Sequence, residues 1–321
     1  MLPQIQEARN PVPREWPVSP ATRLSVVIAT LGGDSLQATI DALNRGSVVP
    51  AEILVCIPEQ EAPRAASLAG PNVRVVITPC RGQVAQRAAG FRAAAGPLVM
   101  QMDDDMLAAP DCVERLVETL ASCGPKAAVA PALVDLLSGR PVYRKSDRPV
   151  LLQMLYYRLV NGSGGYEPGR INRAGDPVGI DPAAGPAEQR VHDVEWLPGG
   201  CVLHFQPNLV LDNFFPFAGK AFCEDLIHSH HLRGKGVRLL VDAAAVCQLE
   251  LVHASSSGMR EFFRNMSADF RARRYFMQLS ERRMPRMYLF YLARVVSYMA
   301  KRLVRPVAGR FGTTDMKRQG R

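Results

Sequence analysis

Four short apolar runs, each preceded or followed by a helix-compatible stretch, constrain the fold of this chain more than any other feature. They are Leu24 to Thr30 (LSVVIAT), Ile53 to Ile57 (ILVCI), Val73 to Ile77 (VRVVI) and Leu98 to Met102 (LVMQM). Each is too short for a helix, and the first three are rich in β-branched residues. Runs that are apolar at nearly every position suit strands buried on both faces. Leu36, Ile40 and Leu43 mark one face of a helix that Asp34 or Ser35 can cap. Val84 to Ala95 is alanine-rich and closes at Gly96-Pro97. Pro110 opens a third helix through Val113, Leu116, Val117 and Leu120, and Ala127 to Leu133 reads as a further strand. Strand and helix alternating at this interval predict parallel βαβ units. The fold class is therefore α/β, with a mixed, mostly parallel sheet flanked by helices.

Open sheets of this kind bind ligands outside the carboxyl ends of their strands. Asp103, Asp104 and Asp105 follow the fourth run at once, at such an end. Adjacent carboxylates repel and raise one another's pKa. A divalent cation relieves that repulsion and can neutralise a phosphate at the same time. On an extended segment residues i and i+2 point the same way, so Asp103 and Asp105 are expected to share a ligand while Asp104 faces away.

From Gly162 to Gly185 the chain is rich in Gly, Pro and Asn, which predicts a mobile excursion over the surface. Structure is expected to resume at Glu195 to Phe205, with a helix over Ala221 to Leu232 and a last strand over Val237 to Val241. His228, His230 and His231 on that helix read as partly exposed surface, because no further ligand sits near them in sequence. The seven cysteines stand singly and read as small buried hydrophobes of a reducing compartment.

Three segments together resemble inverting glycosyltransferases of family two, which have the Rossmann-like GT-A fold of nucleotide-diphospho-sugar transferases. The first is Gly82, Arg87, Gly90, Ala94 and Gly96, followed by LVMQMDDD. The second is Gly199-Gly200 after Trp196. The third is Phe222-Cys223-Glu224-Asp225, followed by Leu232, Arg233, Gly234 and Gly236. The resemblance spans about residues 22–255. It implies a Mn2+ or Mg2+ cofactor held by Asp105, with Asp103 beside it and His253 or Gln248 completing the set. It implies donor contacts from Thr30, Arg87, Asp103, Asp104, Gly199 and Gly200. Asp225, or next to it Glu224, is implied as the catalytic base. Relatives usually carry an aspartate at the end of the second strand to read the nucleotide base. Here Ile57 stands there, and Glu59 is the substitute.

Charge is unevenly spread. Residues 1–250 hold 23 Lys+Arg against 26 Asp+Glu, whereas residues 251–321 hold 16 against 4. The basic terminus carries interleaved aromatics, and its apolar stretch from Met287 to Ala300 is too short to span a bilayer. Such a helical tail suits the surface of an anionic membrane. Nucleic acid is not expected as a partner, since no recognition module is visible and the rest of the chain is slightly acidic. Met1 to Pro20 has five prolines and no apolar core of a signal peptide, so it reads as an extended leader and the chain as cytoplasmic.

The expected organisation is a leader at 1–21, a catalytic domain at 22–255 with its insert at 162–185, and a basic amphipathic tail at 256–321. The expected function is metal-dependent hexosyl transfer from a nucleoside-diphosphate-sugar to a saccharide or lipid-linked acceptor. That would serve cell-envelope or exopolysaccharide synthesis at the inner face of the plasma membrane. The rivals are a nucleotidyltransferase and a non-catalytic membrane-surface protein. Gly32-Gly33 has no Lys or Arg nearby before Arg45, which disfavours the first.

Overall fold

The computed structural model describes residues 24–144, 149–162, 165–183, 190–251 and 258–308. The expected leader lies outside them. The first half of the chain is built from β1 (Leu24–Ala29), α1 (Leu36–Asn44), β2 (Glu52–Pro58), a 3-10 turn (Glu59–Ala65), β3 (Val73–Thr78) and α2 (Gln83–Ala93). It continues through β4 (Leu98–Met102), β5 (Met106–Ala108), α3 (Cys112–Cys123), β6 (Ala127–Asp135) and α4 (Val150–Asn161). The second half comprises β7 (Val191–Val194), β8 (Cys201–Phe205), α5 (Glu224–Gly234), β9 (Arg238–Leu249), α6 (Met259–Leu279) and α7 (Pro285–Ala308).

The strands form one sheet in the order β3-β2-β1-β4-β8-β6-β9-β5, with β7 also on β9. β3, β2, β1 and β4 are mutually parallel. β8 runs against both β4 and β6, while β6 and β9 are parallel to each other. β5 and β7 run against β9. Three of the described strands thus oppose the direction of the other six. The order reverses at β1: the chain steps outward through β2 and β3, then returns to β1's other side with β4. That reversal opens a crevice beyond the ends of β1 and β4.

Both sheet faces are covered over β1, β2 and β4, which explains their near-continuous apolar runs, whereas β3 at the sheet edge leaves Val75 and Ile77 exposed. Val26 and Ile28 of β1 pack with Leu36, Ile40 and Leu43 of α1 and with Leu116 and Leu120 of α3. Val27, pointing the other way, packs with Phe91 of α2. α2 lies so close that a Cβ on Gly90 would stand 2.5 Å from Cys56 Sγ and overlap Val27 Cγ1. Glycine is what lets this helix reach the sheet.

A second layer on the α2 side joins α4, α5, α6 and α7 around Trp196, Ile227, Phe276, Met277 and Met287. One face of the basic tail is therefore core. Arg273 is buried, donating to Gly175 O and to Asp176 Oδ1 at 2.9 Å. Arg282 pairs with Glu195, and Arg286 donates to the Arg158 and Leu159 carbonyls. Carboxylates and free carbonyls of the preceding domain draw in these three guanidiniums, while Arg260, Arg264, Arg271, Arg274, Arg283, Arg294 and Arg302 stay exposed. The same arginines tie down residues 165–183, where Ile171, Asn172 and Ala174 are buried. A loop-rich composition marked this stretch as an excursion, but α6 supplies the partners its backbone needs.

Candidate functional site

The acidic run leaves the strand geometry after Met102: Asp104 and Asp105 form a turn before β5. The alternation expected of an extended segment does not apply to them. Asp104 faces inward, its Oδ2 accepting from Thr30 Oγ1 and its carbonyl accepting from Thr39 Oγ1 at 3.0 Å. Thr30 sits at the end of β1, so this contact joins the two strand ends across the crevice. Asp105 is the exposed member. Partial burial and the charges of Asp103 and Asp104 push its carboxyl above the usual range, against a downward pull from Lys220.

Asp103 is fixed from three sides. Its Oδ1 accepts from Arg87 Nη2 at 2.6 Å and from Gln83 Nε2 at 2.9 Å, and its N–H donates to Gly200 O at 2.8 Å. Arg87 is buried, and its Nη1 donates to Glu224 Oε1 at 2.5 Å. Nη2 also reaches Gly199 O at 3.2 Å, and Gln101 Nε2 reaches the same carbonyl at 2.7 Å. Gly199 and Gly200 thus fill the narrow strip between the aspartate run and the Glu224-Asp225 pair. A Cβ on Gly199 would stand 2.6 Å from Glu224 Oε1, and one on Gly200 would stand 3.4 Å from Asp103 Oδ2.

The two acids at the start of α5 differ. Glu224 is buried with Oε1 on Arg87, and burial pushes its carboxyl up despite that charge. Among the described residues Asp225 has no ion pair, and its Oδ1 accepts from the next backbone N–H at 2.9 Å. Burial, then the Glu224 charge, push its carboxyl up to about 7, which suits proton exchange at neutral pH. The residue before them, Cys223, adopts a left-handed conformation at φ 56, a strained choice for a side chain other than glycine. Its thiol donates to Asp269 Oδ1 at 3.5 Å, and Asp269 in turn accepts from Tyr291 and pairs with Arg294. The tail helices thereby brace the acidic turn from behind.

Thr30, Arg87, Asp103, Asp104, Gly199, Gly200 and Glu224 converge here, with Asp225 beside Gly199. Glu59 does not join them: it is exposed on the turn after β2. Gln248 lies on β9 opposite Leu107, and His253 lies outside the described residues. Sequence reading also missed Gln83 and Gln86, although they share a face of α2 with Arg87 at i, i+3 and i+4 spacing. Gln86 Nε2 donates to Thr30 O and Cys56 O, both at 2.7 Å, and so holds the ends of β1 and β2 together. His228 proves buried rather than partly exposed, stacked on Phe214 with centroids 5.6 Å apart.

Among the described residues no group of three His, Cys, Asp or Glu is placed to hold a metal ion. Asp105 still fits a hard cation of the Mn2+ or Mg2+ kind. Burial, then the charges of Asp103 and Asp104, raise its carboxyl, and such ions bind through one or two carboxylates with phosphate and water supplying the rest.

Residues 25–171 match the family model described as Glycosyl transferase family 2. No curated protein matches the chain. Among solved structures, one of GalNAc-T7 with UDP, GalNAc and Mn2+ is 15% identical at a TM-score of 0.51. The similarity covers 79% of this chain, which spans 50% of that one. A structure described as a mycobacterial protein is 19% identical at a TM-score of 0.44, over 74% of this chain and 70% of that one. The family match therefore covers residues 25–171, less than half of the chain, and the likeness to the solved structure is one of fold.

Proposed function

We propose that the chain transfers a hexosyl group from a nucleoside-diphosphate-sugar to a hydroxyl of a saccharide or lipid-linked acceptor, with inversion at the anomeric carbon. The observation that carries this reading is Asp225. It is a carboxyl pushed up to about 7 beside Gly199, on the same Arg87-linked framework as the aspartate run. Asp225 takes the acceptor proton as the hydroxyl attacks, and a single displacement with one base gives inversion. Glu224 serves as the partner of Arg87 rather than as the base. Thr30, Asp103, Asp104, Gly199 and Gly200 line the donor side, with Arg87 acting from beneath through Asp103. Glu59 is the nearest acid after β2 for reading the nucleotide.

Asp105, with Asp103 and His253, would hold the divalent cation. When bound, that ion supplies charge neutralisation to the departing diphosphate. The basic terminus supports placement on the inner face of the plasma membrane and a role in envelope or exopolysaccharide synthesis. Calorimetry with UDP-, GDP- and dTDP-sugars, with and without Mn2+, tests the donor. Donor binding that ignores Mn2+ and survives Asp105→Ala removes the metal from this reading. NMR of the product's anomeric proton tests inversion.

A further inference from the structure

α4 is the least globular-looking element of the chain. Val150, Leu151, Leu152, Met154 and Leu155 are exposed by between 53% (Leu152) and 72% (Val150). They occupy its first two turns on nearly all sides, and no charged residue interrupts them before Arg158. Only its last residues, Val160 and Asn161, are buried, where Arg286 of α7 anchors the helix end. α7 lies alongside α4 and presents two apolar faces. Met287, Phe290 and Tyr291 face the core, while Leu289, Leu292, Val296 and Met299 are exposed at three- and four-residue spacing. A soluble surface rarely leaves so many large apolar side chains uncovered in neighbouring helices.

The charge around this surface indicates what covers it. Arg140, Arg144 and Arg158, which flank or enter α4, are exposed. Exposed Arg283 and Arg302 lie on or just before α7. No helix among the described residues is long and apolar enough to cross a membrane, so insertion must be shallow. We infer that α4 and the outer stripe of α7 form one composite docking surface for the interface of an anionic lipid membrane. The first two turns of α4 wedge among the acyl chains, and the surrounding arginines meet the headgroups. This deepens the membrane placement proposed above by moving its apolar part from the tail alone to α4. It also puts the bilayer against the helical layer that carries the turn of Asp225, suiting a lipid-linked acceptor.

Flotation of the full chain with phosphatidylcholine vesicles, with and without phosphatidylglycerol, tests this directly and needs no sugar nucleotide. The wild type is expected to float with phosphatidylglycerol vesicles and not with pure phosphatidylcholine. The triple variant Leu151→Gln, Met154→Gln, Leu155→Gln should lose at least tenfold in partitioning. All three positions are exposed, so its circular dichroism should be unchanged. Arg283→Glu with Arg302→Glu should weaken binding most at low salt. Absence of vesicle binding by the wild type, or unchanged binding by the triple variant, overturns the inference. So does a concentration-dependent dimer that the triple variant abolishes while vesicles are ignored, since the covering partner is then a second copy. Donor binding in vesicle-free solution is read separately, so failure of either proposal leaves the other standing.

Discussion

Arg87 and Glu224, 137 positions apart in the chain, meet in the core with Nη1 2.5 Å from Oε1. The same guanidinium holds Asp103 at 2.6 Å, so one buried cation fixes acids from β4 and α5 together. Deleting one partner of such a pair leaves uncompensated buried charge, at a cost of about 3–5 kcal/mol. Arg87→Met should accordingly lower the midpoint of thermal unfolding sharply and abolish transfer. Arg87→Lys keeps the charge but cannot fork to both carboxylates, so it should recover more stability than activity. Circular dichroism melts beside initial rates check both.

Asp225 makes a pH prediction with a definite sign. Its folded pKa of about 7 lies above its ordinary value of 3.8, so folding favours the protonated form. That contribution to stability is present below about pH 4 and is lost as pH rises towards 7. Asp225→Asn should thus melt higher than the wild type at pH 8 and near it at pH 4. The base must be ionised to act, so wild-type kcat/KM should rise with pH through an apparent pKa near 7. Asp225→Asn should lose about 10²–10⁴-fold in rate. Full activity in that variant removes Asp225 as the base.

The sheet half of this arrangement was readable from sequence because it is local. Strands buried on both faces must be apolar throughout, and β1, β2 and β4 announce themselves that way, whereas β3 is apolar yet lies exposed at the sheet edge. The aspartates follow β4 directly, and α2 shows Arg87 in a helix. What sequence could not give was decided by contacts between distant segments. The inward turn of Asp104 depends on Thr30, 74 positions away. The burial of Arg273 depends on Asp176, 97 positions away. Counting arginines measured the charge of the tail but not which carboxylates would draw it in. α4 was missed because its apolar residues show no helical periodicity, being exposed on nearly all sides.

The brace behind the acidic turn predicts a positioning role for Asp269. Its Oδ1 receives the Cys223 thiol and its Oδ2 receives Tyr291 Oη at 2.8 Å, so it links α6 and α7 to the strained residue before Glu224. Asp269→Asn preserves the shape but weakens the pull of Arg273 and Arg294. It should lower kcat several-fold while leaving the KM for donor near the wild-type value, and displace the apparent pKa of the pH profile. Cys223→Gly removes the backbone strain at φ 56 and should retain the fold. A loss of donor affinity equal to the loss of kcat in Asp269→Asn would mean general destabilisation instead.

Two glycines separate packing from chemistry. Alanine at Gly90 would gain up to about 1 kcal/mol of helix propensity. Its Cβ would also stand 2.5 Å from Cys56 Sγ and overlap Val27, and overpacking of that kind costs about 1–3 kcal/mol. The clash wins, because both neighbours are buried strand residues with nowhere to move. Gly90→Ala should therefore melt lower yet transfer sugar normally once folded. At Gly199 the added methyl would meet Glu224 Oε1 at 2.6 Å, the oxygen that Arg87 holds. Relieving that contact moves Glu224, and with it Asp225 and the Arg87 fork. Gly199→Ala should consequently lose at least tenfold in kcat with a smaller drop in melting temperature than Gly90→Ala. Rates and melts measured on the two proteins side by side decide it. Equal activity in both variants would show that the strip between the acids tolerates a methyl group.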